Sequence, residues 1–164
     1  MFFENYKIQN IIMNKTMLAL LLGSVFYSLS FAQKITTDKV PVLVSRAFIS
    51  KFPASNQQSW SMAGKTTYEV VFFNGNKKQS ATYKEDGTWL ETETEIKFSQ
   101  LPHAVSAVFN KQFGGFTIQE TTEVETAGNG TLYELTINKG SEGYEVQFSA
   151  KGGLVKKEAA KAED

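Results

Sequence analysis

The chain has 164 residues, 41% of them hydrophobic, enough for one ordinary domain or two very small ones. Its 17 basic and 17 acidic residues cancel, so no net field draws it to nucleic acid or anionic lipid. It has no cysteine, which excludes disulfides, thiolate zinc sites, a thiol nucleophile and a lipid anchor on cysteine.

Residues 14–32 read NKTMLALLLGSVFYSLSFA. Lys15 gives a short positive start, Met17 to Phe31 is an apolar run, and Ser30-Phe31-Ala32 puts small residues where a signal peptidase needs them. The run is too short to span a bilayer, which takes about 20 residues. Residues 1–32 are therefore expected to be a signal peptide cut between Ala32 and Gln33, with Met13 the better start. The mature chain is then periplasmic or secreted and free of the membrane.

Beyond a loose leader at 33–37, Asp38 is the expected cap of a first helix, with Pro41 in its first turn. Val44, Ala47, Phe48 and Phe52 give that helix one apolar face, and Pro53 stops it. Trp60 and Met62 alternate with serines, as in a short edge strand. Thr66 to Phe73 is the strongest strand, and Asn74-Gly75 is a hairpin turn. Lys78 to Lys84 returns, Asp86-Gly87 turns again, and Thr88 to Ile96 is a further strand.

The order then repeats. Ser99 and Pro102 stand where Asp38 and Pro41 stood, and Val105, Val108, Phe109 and Phe113 repeat the first apolar face at an offset of 61. Gly114-Gly115 ends the second helix. Phe116 to Glu125 is a strand with Ile118 and Val124 read on one face, followed by the turn Gly128-Asn129-Gly130. At an offset of 65, Tyr133 and Glu134 match Tyr68 and Glu69, and Gly140 and Gly152 match Gly75 and Gly87. From Lys156 the chain is rich in alanine and charge and reads as fraying.

The expected fold class is therefore α+β. It comprises two tandem repeats, 33–98 and 99–158, each a helix followed by a three- to four-stranded antiparallel meander, with a disordered tail at 159–164. One repeat of this size buries too little surface alone. The two sheets should join into one curved sheet with both helices on one face.

The Val-Pro and Leu-Pro helices, the Tyr-Glu pairs at 68–69 and 133–134, and the turns at Gly75, Gly87, Gly140 and Gly152 together resemble the PepSY-like, beta-lactamase-inhibitor-like proteins of the bacterial envelope. The resemblance covers essentially all of the chain after residue 32 and rests on the order of loose motifs. It implies a curved antiparallel sheet with helices behind. In the inhibitor relatives the open sheet face grips another protein, and PepSY domains in protease propeptides restrain proteases. The cysteines of the inhibitor itself are missing here, so its target does not carry over.

Alternation puts Tyr68, Val70 and Phe72 on the helix side, with Tyr133, Leu135 and Ile137 as counterparts, and in the returning strands Gln79, Ala81 and Tyr83 with Tyr144, Val146 and Phe148 as theirs. The other side of the first repeat reads Glu69, Val71, Phe73, Ser80, Thr82, Lys84, Trp89, Glu91 and Glu93. Val71, Phe73 and Trp89 are apolar on a face expected to be wet, and aromatics make good binding anchors. Trp60 could join either side. The bland alternative is that these residues pack under the tail, a loop or the other repeat. Glu91, Glu93 and Glu95 recur every second residue, about 7 Å apart along a strand. They read as a solvated face that discourages edge pairing, or as an acidic stripe for a cation.

His103 is the single histidine, and no nucleophile elbow or phosphate loop accompanies it. The reading is of a non-enzymatic module without cofactor or metal. It docks an envelope protein or peptide on the open sheet face, through Val71, Phe73, Trp89, Trp60, Glu69 and Glu91, and inhibits an envelope enzyme such as a protease. The alternatives are a sensor of small ligands or cations and a structural protein with no ligand.

Overall fold

The computed structural model describes residues 33–160. The expected signal peptide and the end of the expected tail lie outside the described residues.

The described chain forms nine strands and two α-helices. In order they are β1 (Gln33–Ile35), α1 (Val42–Lys51), β2 (Ser55–Met62), β3 (Thr67–Asn74), β4 (Lys77–Lys84), β5 (Trp89–Glu95), α2 (His103–Phe113), β6 (Thr117–Thr126), β7 (Gly130–Lys139), β8 (Glu142–Ser149) and β9 (Leu154–Ala159). All nine strands make one antiparallel sheet in sequence order. The sheet is open, since β1 pairs with β2 and β9 with β8 at its two edges. β5 pairs with β6, with Glu93 opposite Val124, and this pairing joins the two halves.

Two departures from the expected elements have local causes. Each helix starts after its proline, and Pro41 and Pro102 hold the cap positions without a side-chain cap. A residue before proline is pushed out of the helical region. Val40 and Leu101 are accordingly extended, so a helix cannot run from Asp38 or Ser99 into Val42 or His103. Asp38 and Ser99 sit instead in single 3-10 turns. At the other end, the stretch read as fraying from Lys156 is strand as far as Ala159, held to β8. Residues 33–35 of the expected leader are likewise strand, so β1 rather than β2 is the edge.

Both helices lie on one face of the sheet. Val44, Phe48 and Phe52 pack with Trp60, Tyr68, Val70, Phe72, Ala81 and Tyr83. Val105, Phe109 and Phe113 pack with Tyr133, Leu135, Ile137, Val146 and Phe148. The register carries this face across the sheet, from Phe72 through Gln79, Thr94, Glu123 and Tyr133 to Phe148. Phe48 is the hub of the first cluster, with ring centroids 5.0 Å from Phe72 and 5.3 Å from Trp60, both edge to face.

Two glycines fix how closely the helices sit. Gly87 and Gly152 have φ of +85° and +83°, and a Cβ there would lie 2.8 Å from the Leu43 carbonyl oxygen and 2.5 Å from that of Ala104. Only glycine admits both the left-handed backbone and that approach of a hairpin to the first turn of a helix.

Candidate functional site: an acidic sheet face

The face opposite the helices carries three rows of side chains across the strands. Glu69, Thr82, Glu91 and Thr126 form one row. Val71, Ser80, Glu93, Val124 and Leu132 form the next. Glu95, Thr122, Glu134, Gln147 and Lys156 form the third. Neither helix lies over this face. Its middle is nonetheless shielded, with Glu69 and Glu91 each 2% exposed and Glu93 8% exposed. Glu69 on β3 and Glu91 and Glu93 on β5 stand on interior strands, each paired on both sides.

This overturns the solvated-stripe reading of Glu91 and Glu93. β5 is the fifth strand of nine, paired on both sides, and it has no edge to protect. Only Glu95, near its end, is exposed. The carboxylates are thinly satisfied. The Ser61 hydroxyl donates to Glu69 Oε2 at 3.4 Å, Ser80 to Glu93 Oε2 at 3.3 Å, and Gln147 Nε2 to Glu134 Oε2 at 3.4 Å. Glu91 Oε2 is buried with no hydrogen-bond partner.

Burial and mutual repulsion push these groups toward the protonated form. Burial, then the charge of Glu69, raises Glu91 to about 7. Burial, then Glu145, raises Glu134 to about 7, with Lys156 opposing. Glu93 is raised well above the usual carboxylate range by burial and then by Glu91, Glu134 and Glu69, against the Ser80 bond. Burial raises Glu69 against the Ser61 bond. Glu120 is raised by burial and by Glu95, with Lys78 opposing. Carboxylates from β3, β5, β6 and β7 thus form one electrostatic network that spans both halves of the sheet.

A cavity of about 100 Å³ opens within the network, lined by Glu69, Val71, Lys78, Gln79, Ser80, Glu93, Glu95, Glu120 and Thr122. Beside it lies a wider hollow of about 430 Å³, lined by Phe73, Asn76, Lys77, Lys78, Glu95, Ile96, Lys97 and Gln100. Lys78 and Glu95 border both.

Of the six residues singled out from sequence, the structure brings Glu69, Val71, Phe73 and Glu91 to this face. Val71 and Phe73 are half-buried, each at the wall of a cavity. The two tryptophans are elsewhere. Trp60 is 3% exposed within the core under α1. Trp89 also belongs to the helix side, because a bulge in β5 sets Glu91 opposite Thr82 but Trp89 opposite Tyr83. One extra residue, Leu90, reverses the alternation. Trp89 packs against the first core, its indole N–H donates to Thr92 Oγ1 at 3.0 Å, and Lys51 Nζ stands 3.8 Å from its ring centroid. A second bulge between Ile118 and Glu120 does the same in β6. Ile118 joins the second core, while Val124 crosses to the acidic face beside Glu93.

Sequence reasoning read Glu93 only within the stripe of its own strand and missed Glu120 and Glu134 as parts of one site with it. The signal for Glu134 was present, because it matches Glu69 at the repeat offset on the same face. What hid the cluster was its burial, which no alternation pattern reports.

An open antiparallel sheet backed by two helices is the architecture that defines the class of protein. A model of the PepSY-like, beta-lactamase-inhibitor-like family matches residues 66–156, and the chain belongs to that family. A BLIP-like protein from Bacteroides fragilis shares the fold at 20% identity and a TM-score of 0.68, over 76% of this chain and 89% of that one. A protein described as periplasmic from Bacteroides eggerthii aligns equally well, at 20% identity and 0.68, over 73% and 88%. A third relative, from Bacteroides ovatus, gives 19% identity and 0.68, over 73% and 86%. No functionally curated protein matches.

Proposed function

We propose that the chain is a non-enzymatic envelope module that docks a protein or peptide segment on the sheet face opposite its helices. The observation that carries this reading is the face itself. No helix covers it, yet it holds Val71 and Phe73 in cavity walls and, on the same face, a Glu91 carboxyl oxygen buried without a hydrogen-bond partner. Membership in a beta-lactamase-inhibitor-like family supports docking of a protein, and with it an inhibitory role toward an envelope enzyme such as a protease. Export after cleavage at Ala32–Gln33 accords with relatives described as periplasmic. The reading includes descent from two tandem copies, supported by the matched close approaches of Gly87 to Leu43 and Gly152 to Ala104.

The test is capture of envelope proteins by the immobilised chain, with Phe73→Ala and Trp89→Ala compared. Phe73→Ala should lose the retained partner, and Trp89→Ala, on the helix side, should keep it. Retention by Phe73→Ala would place docking elsewhere. A second reading, a sensor of cations, draws on the same buried carboxylates. Among the described residues no three acidic or histidine side chains converge as a metal-ligand set, which turns attention to a larger, organic cation.

A further inference from the structure

We propose that the hollow walled by Phe73, Lys77, Ile96 and Lys97 receives an acidic side chain, flanked by an apolar one, of the docked segment. This rests on the docking reading above and names the chemistry of the partner. The hollow, about 430 Å³, lies between the tip of the β3–β4 hairpin and the residues that follow β5. Proteins seat small ligands in concavities of roughly 300–1,000 Å³. Phe73 and Ile96 are half-buried in its wall, and Lys77, Lys78 and Lys97 are exposed around them. Three lysines face one acidic residue, Glu95, so the hollow carries a local excess of positive charge. Among the described residues none of the three lysines forms an ion pair. The field of Lys78 already acts on Glu120 in the neighbouring cavity, which leaves Lys77 and Lys97 for an incoming anion.

The second hairpin of the same kind provides an internal comparison. In the β3–β4 register Phe73 stands opposite Lys78 and Asn74 opposite Lys77. The β7–β8 hairpin has this register at an offset of 65, with Asn138 opposite Gly143 and Lys139 opposite Glu142. There the hairpin forms without the aromatic residue, and a glutamate balances its lysine. The fold alone therefore does not require Phe73, Lys77 or Lys78, and the apolar wall with its uncompensated charge belongs to the first hairpin only. A carboxylate suits this place better than a phosphate. No arginine lines the hollow to grip a phosphate with a bidentate fork, and Glu95 repels a dianion more strongly than a single negative charge. An exposed ion pair by itself contributes little, so the contact also needs the apolar neighbour that covers Phe73 and Ile96.

The experiment is titration calorimetry of the full chain with acetyl-Glu-Phe-Glu-amide, against acetyl-Gln-Phe-Gln-amide, which keeps the shape and removes the charge. The glutamate peptide should bind about fivefold more tightly at low salt, and its advantage should shrink at high salt. Lys77→Glu and Lys97→Glu should each weaken it severalfold, and Phe73→Ala should weaken both peptides. Glu95→Gln should strengthen the glutamate peptide, a gain that a misfolded variant would not show. Lys111→Glu, an exposed position on α2, should leave its binding unchanged. Equal binding of the two peptides, or none, overturns the inference. So does an equal loss in Lys111→Glu, which would report overall charge, and so does sodium phosphate binding more tightly than the glutamate peptide. Partner capture lost by Phe73→Ala but kept by Lys77→Glu and Lys97→Glu would leave docking standing and sink the acidic contact. Capture kept by Phe73→Ala would sink the docking reading and this inference with it.

Discussion

Glu91 offers the sharpest test of the acidic face. Its carboxyl is raised to about 7, against an ordinary value of 4.5, by burial and by Glu69. The folded protein therefore binds this proton more tightly than the unfolded chain does. Its stabilising contribution is complete below the unfolded value near 4.5 and is lost as pH rises through 7. The difference of about 2.5 units corresponds to about 3 kcal/mol at alkaline pH. Most of that loss falls between pH 5 and pH 8. Glu91→Gln keeps the shape and deletes the ionisation. It should leave stability at pH 5 nearly unchanged and add about 2–3 kcal/mol at pH 8 in urea unfolding, or roughly 10 °C in melting temperature. Relief of the repulsion on Glu93 acts in the same direction. An equal gain at both pH values, or a loss at pH 8, would refute the picture of a buried and poorly compensated carboxylate.

Three further outcomes are expected. Gly152→Ala combines a left-handed backbone with a Cβ placed 2.5 Å from the Ala104 carbonyl, whereas Gly75, at φ +63°, has open space around it. By chemical denaturation the first should cost at least about 3 kcal/mol and Gly75→Ala about 1 kcal/mol, and similar losses would show that the helix contact is unimportant. Lys51 joins the first helix to the sheet through the Trp89 ring and through Glu125 on β6, 3.7 Å away. Lys51→Met should change tryptophan fluorescence and cost about 1 kcal/mol, and unchanged emission would mean the ring contact is not formed. Trp60→Ala should cost about 4 kcal/mol by emptying the core beneath Phe48 while leaving partner capture by the folded fraction intact, and lost capture would return Trp60 to the binding surface.

Much of the fold is legible locally because its causes are local. Spacing of Val44, Phe48 and Phe52, and of Val105, Phe109 and Phe113, defines both buried helix faces. Asn74-Gly75 and Asp86-Gly87 locate hairpins because the left-handed backbone needs glycine there. Strict alternation sorts β3, β7 and β8 correctly, since the bulges in their pairings put the extra residue in β2, β6 and β9 and leave these three strands regular. The helix starts were misplaced by a few residues because the restriction that proline puts on Val40 and Leu101 outweighs the capping preference of Asp38 and Ser99.

The site was half legible. Glu69, Val71, Phe73 and Glu91 share the front face as period-2 reading expects. Trp89 and Val124 do not follow it, because a bulge separates each from the residues of its strand that it was read with, and a single inserted residue reverses the alternation across it. Composition and alternation by themselves determined a cysteine-free chain read as helices on one side of an antiparallel sheet. Only the tertiary structure decided that β5 lies at the centre and that its Glu91 and Glu93 are buried in a network with glutamates of β3, β6 and β7. The physical reason is that burial and the resulting charge coupling depend on which strands become neighbours, and that choice is made by the whole sheet rather than by any one strand.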